Sequence, residues 1–250
     1  VLGGSGFIGS RICEALVAQG APVVSVSRSG SPPEGAGAWA QKVTWKKADV
    51  LAPGLAQELS GAEAVVSAIG SLGSVDDETN NGATNEAAVA AAKAANAKRF
   101  VLVSASPDVF EANIGGLFTA YIAGKKRAEA AVAGFPGDTL VLQPSFVYGG
   151  DSFSANPPRV AQGYGALVET VLGSPPLRLA AGISPAALRL ALSPPIAVAD
   201  VAAAATAGAL GKVKGTFAGH DAIQGVAQGQ GAYVSRHLGG PLPYTKGSSH

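Results

Sequence analysis

The 250-residue chain has no methionine, one cysteine, three histidines, two tryptophans and only 14% charged residues. A single cysteine, Cys13, excludes an internal disulfide and a zinc cluster; lying in the first helical run, it is expected as a small core residue. Charge is scarce and balanced at a net +1, so nothing recommends a nucleic-acid surface. Long apolar runs are missing as well. The richest late stretch, LALSPPIAVADVAAAATAGALG, is broken by Pro194, Pro195 and Asp200 and fails the roughly 20-residue requirement for a membrane span. The first residue is not Met and reads as mid-strand, from which a removed leader or half-strand is expected. The closing KGSSH (247–250 within it) reads as a linker into a purification tag and is set aside.

What is plentiful is small and apolar. Hydrophobic residues make up 47% and glycine supplies 34 positions, enough for one large domain or a domain with a modest appendage. The mean hydropathy of +0.27 reflects alanine and glycine rather than a membrane protein. Along the chain, β-branched strand runs alternate with helical periodicity. After the strand stub Val1-Leu2, a helix is expected from Phe7 to Gln19. Strands follow in PVVSVSR, KVTWKKADV, AEAVVSAIG and KRFVLVSAS, and DTLVLQPSFVYG reads as a strand running into a loop. Helices are expected in GLAQELSG, NEAAVAAAKAANA and FTAYIAGKKRAEAAVAG. This order predicts an α/β fold, a doubly wound parallel sheet of the Rossmann kind over 1–150, with a small C-terminal substrate lobe. From Asp151 the alternation fails and Pro and Gly rise, so 151–194 is expected as that lobe. Residues 195–218 return to the core as a strand end and helix, and 219–246 form a C-terminal segment.

Gly3, Gly6 and Gly9, in GGSGFIG, follow a strand and open a helix. There the first glycine permits a tight turn, the second lets a pyrophosphate reach the backbone, and the third lets the helix pack close. Ser5, Phe7 and Ile8 belong to the same turn, whose free N–H groups and helix dipole suit phosphate. The second strand ends VSVSRSGS, without the acidic residue that holds an NAD ribose. Arg28, between Ser27 and Ser29, offers charged donors for a 2′-phosphate, so NADP(H) is the expected cofactor. Tyr121 and Lys125, in AYIAGKKRAEA, stand four apart on one helix face.

These motifs, with ADV after the third strand, NGATNEAAVAAAKAANAKRFVLVSAS, QPSFVYGG and PIAVADVA, resemble the short-chain dehydrogenase/reductase superfamily, in its extended and atypical branch. YxxGKxxAE and PxFxYG look most like the group holding the nucleotide-binding accessory subunit of respiratory complex I, a fungal relative in coenzyme Q synthesis, and plastid proteins of plants and algae. The resemblance implies that Tyr121 exchanges a proton with a carbonyl. Lys125 would hold the nicotinamide ribose and lower the tyrosine pKa. Ser106 would bind the substrate oxygen, with Ser104 as the alternative. Asp49 and Val50 would flank the adenine, Ala68, Ile69 and Gly70 the cofactor's middle, and Pro144, Phe146 and Val147 the nicotinamide. Pro107 directly after Ser106 departs from the pattern and threatens to misplace the hydroxyl.

Three readings follow: an NADPH-dependent oxidoreductase, a non-catalytic NADPH-binding structural or assembly protein, and an isomerase with retained cofactor. The lobe's YGALVETVLG and PAALRLAL are too apolar for a nucleotide sugar. They suit a lipophilic carbonyl or quinone-like substrate, peripheral lipid contact, or plain core packing. The resemblance implies an organelle, the chloroplast ahead of the mitochondrion. Asn81 and Asn85 read as helix-cap or buried polar residues, and Trp39 and Trp45 as packing. KKADV and GKKRAE read as solvated edges. His220 and His237 show no acidic or cysteine partner at ligand spacing, so no metal is expected.

Overall fold

The computed structural model describes residues 1–113, 116, 118–150, 154–155, 158–159, 161–174 and 185–229. Parts of the expected lobe, His237 and the expected C-terminal linker lie outside them.

Strands β1 (Val23–Ser27), β2 (Val43–Lys47), β3 (Ala64–Ser67), β4 (Arg99–Val103), β5 (Asp138–Gln143) and β10 (Gly215–Ala218) make the main sheet. β1 pairs with β2, and β3, β4, β5 and β10 pair in that order, every pair parallel. Leu2 joins the two halves: it bridges Val26 on one side and Ser67 on the other, both parallel. Its N–H donates to Val66 O at 2.8 Å, and Ala68 N–H donates back to Leu2 O at 3.0 Å. Counting the stub at Leu2, the chain runs outward through β1 and β2, then crosses back to β3. Strand order therefore reverses beside Leu2, which makes that crevice the natural ligand site of such a sheet.

Helices cover both faces, so the central strands read as nearly continuous apolar runs. On β4, Val101 and Val103 enter a core with α1 (Phe7–Ala18), α8 (Val198–Ala209) and α9 (Gly219–Ala227). Phe100 and Leu102 enter the opposite core, with α2 (Leu55–Glu58), α3 (Thr84–Ala94) and α5 (Thr119–Ala133). Cys13 is fully buried in the first core, as expected. The rings of Trp39 and Trp45 pack tilted at 52° with centroids 6.2 Å apart, and Trp45 Nε1 donates to Ala40 O at 2.9 Å. Full burial of Asn81 and Asn85 agrees with the buried-polar reading.

Short elements complete the chain: α4 (Pro107–Ala112), β6 (Val147–Tyr148), β7 (Ser154–Ala155), β8 (Pro158–Arg159), α6 (Gln162–Leu172), α7 (Ala186–Leu192) and β9 (Ile196–Ala197). β6 pairs with β9 in parallel, and β7 with β8 antiparallel. The sixth strand ends at Gln143 and runs into a loop, as expected, after which 147–148 pairs with β9. One departure from the sequence reading stands out. Residues 215–218, read within the strand-end-and-helix return, are a strand paired with β5. Its sequence, GTFA, carries one large apolar residue, and at a sheet edge it needs no more.

Candidate functional site

Gly3 has φ +79, in the left-handed region that only glycine adopts without strain, and its backbone lies against Ala68 and Ile69. A Cβ on Gly9 would stand 2.2 Å from Gly3 O, so the first turn of α1 rests directly on the loop. A Cβ on Gly6 would meet Gly3 O alone, at 3.2 Å, and is otherwise in open space. Gly6 is also the N-cap of α1, with no side chain to cap it and no acidic residue in the first turn. The start of this 12-residue helix is thus positive and bare at the switch point, which fits a dinucleotide's pyrophosphate. Gly4, absent from the motif reading, is a packing glycine: its Cβ would stand 2.3 Å from Ser25 Oγ and 2.9 Å from Cys13 Sγ.

At the tip of β1 the structure gathers hydroxyls. Ser5 Oγ lies 2.9 Å from Ser27 Oγ and takes a hydrogen bond from Ser29 Oγ at 3.2 Å, and it also donates to Ser31 O. Gly30 N–H donates to Ser27 Oγ at 3.1 Å. Arg28 projects from this cluster, exposed and without an ion-pair partner among the described residues. Lys47 on β2 is in register with Ser27, and its Cβ packs where Gly30 would carry one. Asp49 caps the next turn, its Oδ1 accepting from Leu51 N–H at 2.9 Å, and Val50 is buried beneath. Lys46, in the basic run before it, pairs with Glu58 at 2.7 Å.

The segment 68–70 runs from the glycine turn to α5. Gly70 occupies a narrow place: a Cβ there would stand 2.6 Å from Asn81 Oδ1 and 3.1 Å from Lys125 Nζ. Asn81 Nδ2 donates to Ser71 O and Asp77 O at 2.8 and 2.7 Å, while its Oδ1 is buried with no partner. Lys125, 5% exposed, donates to Val103 O at 3.1 Å and sits 5.7 Å from the Tyr121 ring centroid. Burial pulls its pKa down to about 8, against the opposing pull of the Glu129 carboxylate. The lowered tyrosine pKa that the resemblance implies is not what this arrangement produces. Burial pushes the Tyr121 phenol up, and the Asp77 and Glu129 carboxylates push the same way.

The two candidate serines differ in their commitments. Ser104 Oγ donates to Glu129 Oε1 at 2.5 Å. Ser106 Oγ instead accepts from Asp108 N–H at 3.3 Å, as the N-cap of α4, which leaves its own proton to give. Pro107 occupies the first helical turn, where a missing N–H and a fixed φ are favourable. The proline that threatened the hydroxyl's position instead starts the helix that fixes it. Ser106 N–H also donates to Pro144 O at 2.9 Å, which brings the PSF segment beside Ser106. Phe146 is 47% exposed, whereas Val147 is buried on β6.

Two groups were not legible beforehand. Glu129, two turns along α5 from Tyr121, binds Ser104 and Gln143. His220, read only for metal-ligand spacing, hydrogen-bonds two carboxylates: Glu169 at 2.5 Å on Nε2 and Asp221 at 2.9 Å on Nδ1. Glu169 arrives through space from α6, while Asp221 is the next residue in sequence and was open to view. No group of three or more His, Cys, Asp or Glu among the described residues could hold a metal ion, and no helix among them is long and apolar enough to cross a membrane.

A family model described as NAD(P)H-binding matches residues 3–158. An uncharacterized chloroplastic protein of Arabidopsis thaliana is 42% identical over 153 residues, covering 60% of this chain and 50% of that protein. MIOREX complex component 2 of Saccharomyces cerevisiae is 44% identical over 77 residues, covering 29% of this chain and 28% of that one. The chain thus spans half or less of the length of these curated relatives. Among solved structures, the Bordetella bronchiseptica enzyme WbmH in complex with NAD+ superposes with a TM-score of 0.60 at 19% identity, covering 91% of this chain and 78% of that one. That likeness speaks for the fold.

Proposed function

The chain belongs to the NAD(P)H-binding family, with a Rossmann-type domain like that of short-chain dehydrogenases/reductases, and on that premise we propose that it is an NADPH-dependent oxidoreductase. Its substrate is a lipophilic carbonyl or quinone-like compound. The observation that carries the reading is the convergence of Lys125 Nζ and Asn81 Oδ1 on Gly70, with Lys125 on the same helix face as Tyr121. The glycine turn lies at the other end of the same segment.

In this reading Gly3, Ser5, Gly6, Phe7, Ile8 and Gly9 hold the pyrophosphate on the bare start of α1. Arg28 holds the 2′-phosphate, with the serines at the β1 tip as further donors. Asp49 and Val50 flank the adenine, Ala68 to Gly70 the middle, and Ser104, Pro144, Phe146 and Val147 the nicotinamide end. Bound NADPH supplies the hydride. Lys125 holds the adjacent ribose by a charged hydrogen bond, Ser106 Oγ gives its free proton in a hydrogen bond to the substrate oxygen, and Tyr121 delivers the proton that the oxygen needs. A phenol whose pKa is raised by burial holds its proton for that direction of transfer. The domain plan proposed is 1–150 for the cofactor and 151–194 over the substrate.

A second reading has its own support. A phenol pushed up by burial and two carboxylates is a reluctant acid, as befits a protein in which NADPH is a structural ligand. Fluorescence titration with NADPH and NADH, followed by turnover assays on carbonyl and quinone substrates, separates the two. The enzyme reading expects NADPH to bind at least roughly tenfold tighter, about 1.4 kcal/mol, and Tyr121→Phe to abolish turnover with binding kept. Binding that raises thermal stability without any turnover supports the structural reading. Failure of both nucleotides to bind overturns both. The Arabidopsis relative's chloroplastic name supports a plastid location.

A further inference from the structure

Tyr121, Lys125 and Glu129 stand on successive turns of α5, facing the strand ends. Glu129 is held from two strands at once: Oε1 accepts from Ser104 Oγ at the end of β4 and from Gln143 Nε2, at 2.8 Å, at the end of β5. Both partners are buried. A carboxylate with two fixed donors cannot swing away, and it sits one turn from an ammonium group that donates to the neutral carbonyl of Val103. A lone charge so placed would shed its proton to escape the cost of burial.

We propose that Glu129 is a positioning residue that keeps Lys125 cationic, and that Ser104 and Gln143 serve the site by holding Glu129 in place. The inference rests on the reading of Lys125 as the group that binds the cofactor's ribose. It gives Ser104 a role distinct from that of Ser106. The other titratable groups facing this stretch are Tyr121 on α5 itself and Asp77 from the segment after β3. Asp77 is already bound by Ser71 Oγ and the N–H groups of Gly73 and Ser74. Among the described residues, the ends of β4 and β5 bring the uncharged Ser104 and Gln143, and the turn Thr79–Ala83 brings Asn81. Arg127 is engaged elsewhere, with Glu78 and Glu86. Glu129 is thus the carboxylate placed to act on the lysine, and the direction of its effect on Lys125 agrees.

The test is an NMR titration of protein labelled with 13C at lysine Cε, with the Lys125 signal assigned by its loss in Lys125→Met. In Glu129→Gln the Lys125 midpoint is expected to fall by roughly one pH unit or more. NADPH affinity should match wild type near pH 6 and weaken several-fold near pH 8. A variant with an unmoved midpoint, whatever its melting temperature, overturns the proposal and leaves Glu129 a strut. Should the glutamine variant fail to fold, Glu129→Asp keeps the charge but draws it back. A smaller fall supports the proposal and no fall overturns it. The midpoint is read without cofactor, so a wild-type protein that does not bind NADPH defeats the oxidoreductase reading while leaving this measurement intact.

Discussion

Lys125 is a charged side chain nearly cut off from water, and that has a thermodynamic signature. Its folded pKa of about 8 lies below its ordinary 10.5. Between these values the unfolded chain keeps the proton that the folded chain releases, so this group's contribution to stability rises with pH from about 8 upward. Going from about pH 8 to about pH 9 should add roughly 1 kcal/mol. Urea midpoints of wild type and Lys125→Met across that interval should diverge by that amount, the variant lacking the gain. Arg28 makes a different residue-scale prediction. It lacks an ion-pair partner among the described residues, so Arg28→Ala should leave the melting temperature unchanged. Nucleotide titrations should nevertheless show the NADPH preference falling about tenfold, the worth of a charged hydrogen bond to phosphate.

At the scale of elements, α5 meets the turn Thr79–Ala83 more closely than any side chain would allow. A Cβ on Gly124 would lie 2.8 Å from both Asn81 Cβ and Glu78 O, and 3.0 Å from Gly82 N. Gly124→Ala is expected to push the helix outward and cost about 1–3 kcal/mol, read as a lower thermal midpoint. It should also weaken NADPH binding, because Lys125 is the next residue. Much of this element pattern was legible from periodicity: α1, α3, α5 and the five leading strands lie where apolar spacing puts them. The glycine turn was legible because its mechanics demand glycine at those spacings. Strand β10 was not, since an edge strand of four residues carries too little pattern to read. Glu129 and the acidic partner that α6 brings to His220 were hidden for another reason. Each depends on strand ends or helices far apart in sequence arriving at one place. The helix that Pro107 starts was not legible, because the rule for the residue before proline says nothing of it.

Across the whole molecule, polar contacts tie α6 and α7 to the rest of the described fold. At one tie, α7 lies along α4, with Arg189 reaching Asp108 at 3.0 Å and Glu111 beside it. At a second, Glu169 of α6 accepts from Tyr148 OH and meets His220 of α9. Helix α6 crosses Tyr148 at Gly165, where a Cβ would strike the ring at 2.3 Å. Glu169→Gln should loosen this second tie. Amides of 162–172 are expected to exchange roughly tenfold faster, for about 1–2 kcal/mol lost, while those of β4 stay protected. Uniformly faster exchange would mean that the tie supports the global fold instead.

The pairing of β5 with β10 joins Leu140 to Gly215 and Gln143 to Ala218, and that separation matters while the chain is being made. Synthesis delivers β5 and its inner neighbour β4 long before the strand that covers its outer side. Throughout that interval β5, with Leu140, Val141 and Leu142 in a row, presents an open row of peptide groups to any other nascent chain. A polypeptide released before residue 215 keeps that row open for good. Such fragments should therefore collect in aggregates even though they carry the entire glycine turn and both members of the Tyr121–Lys125 pair.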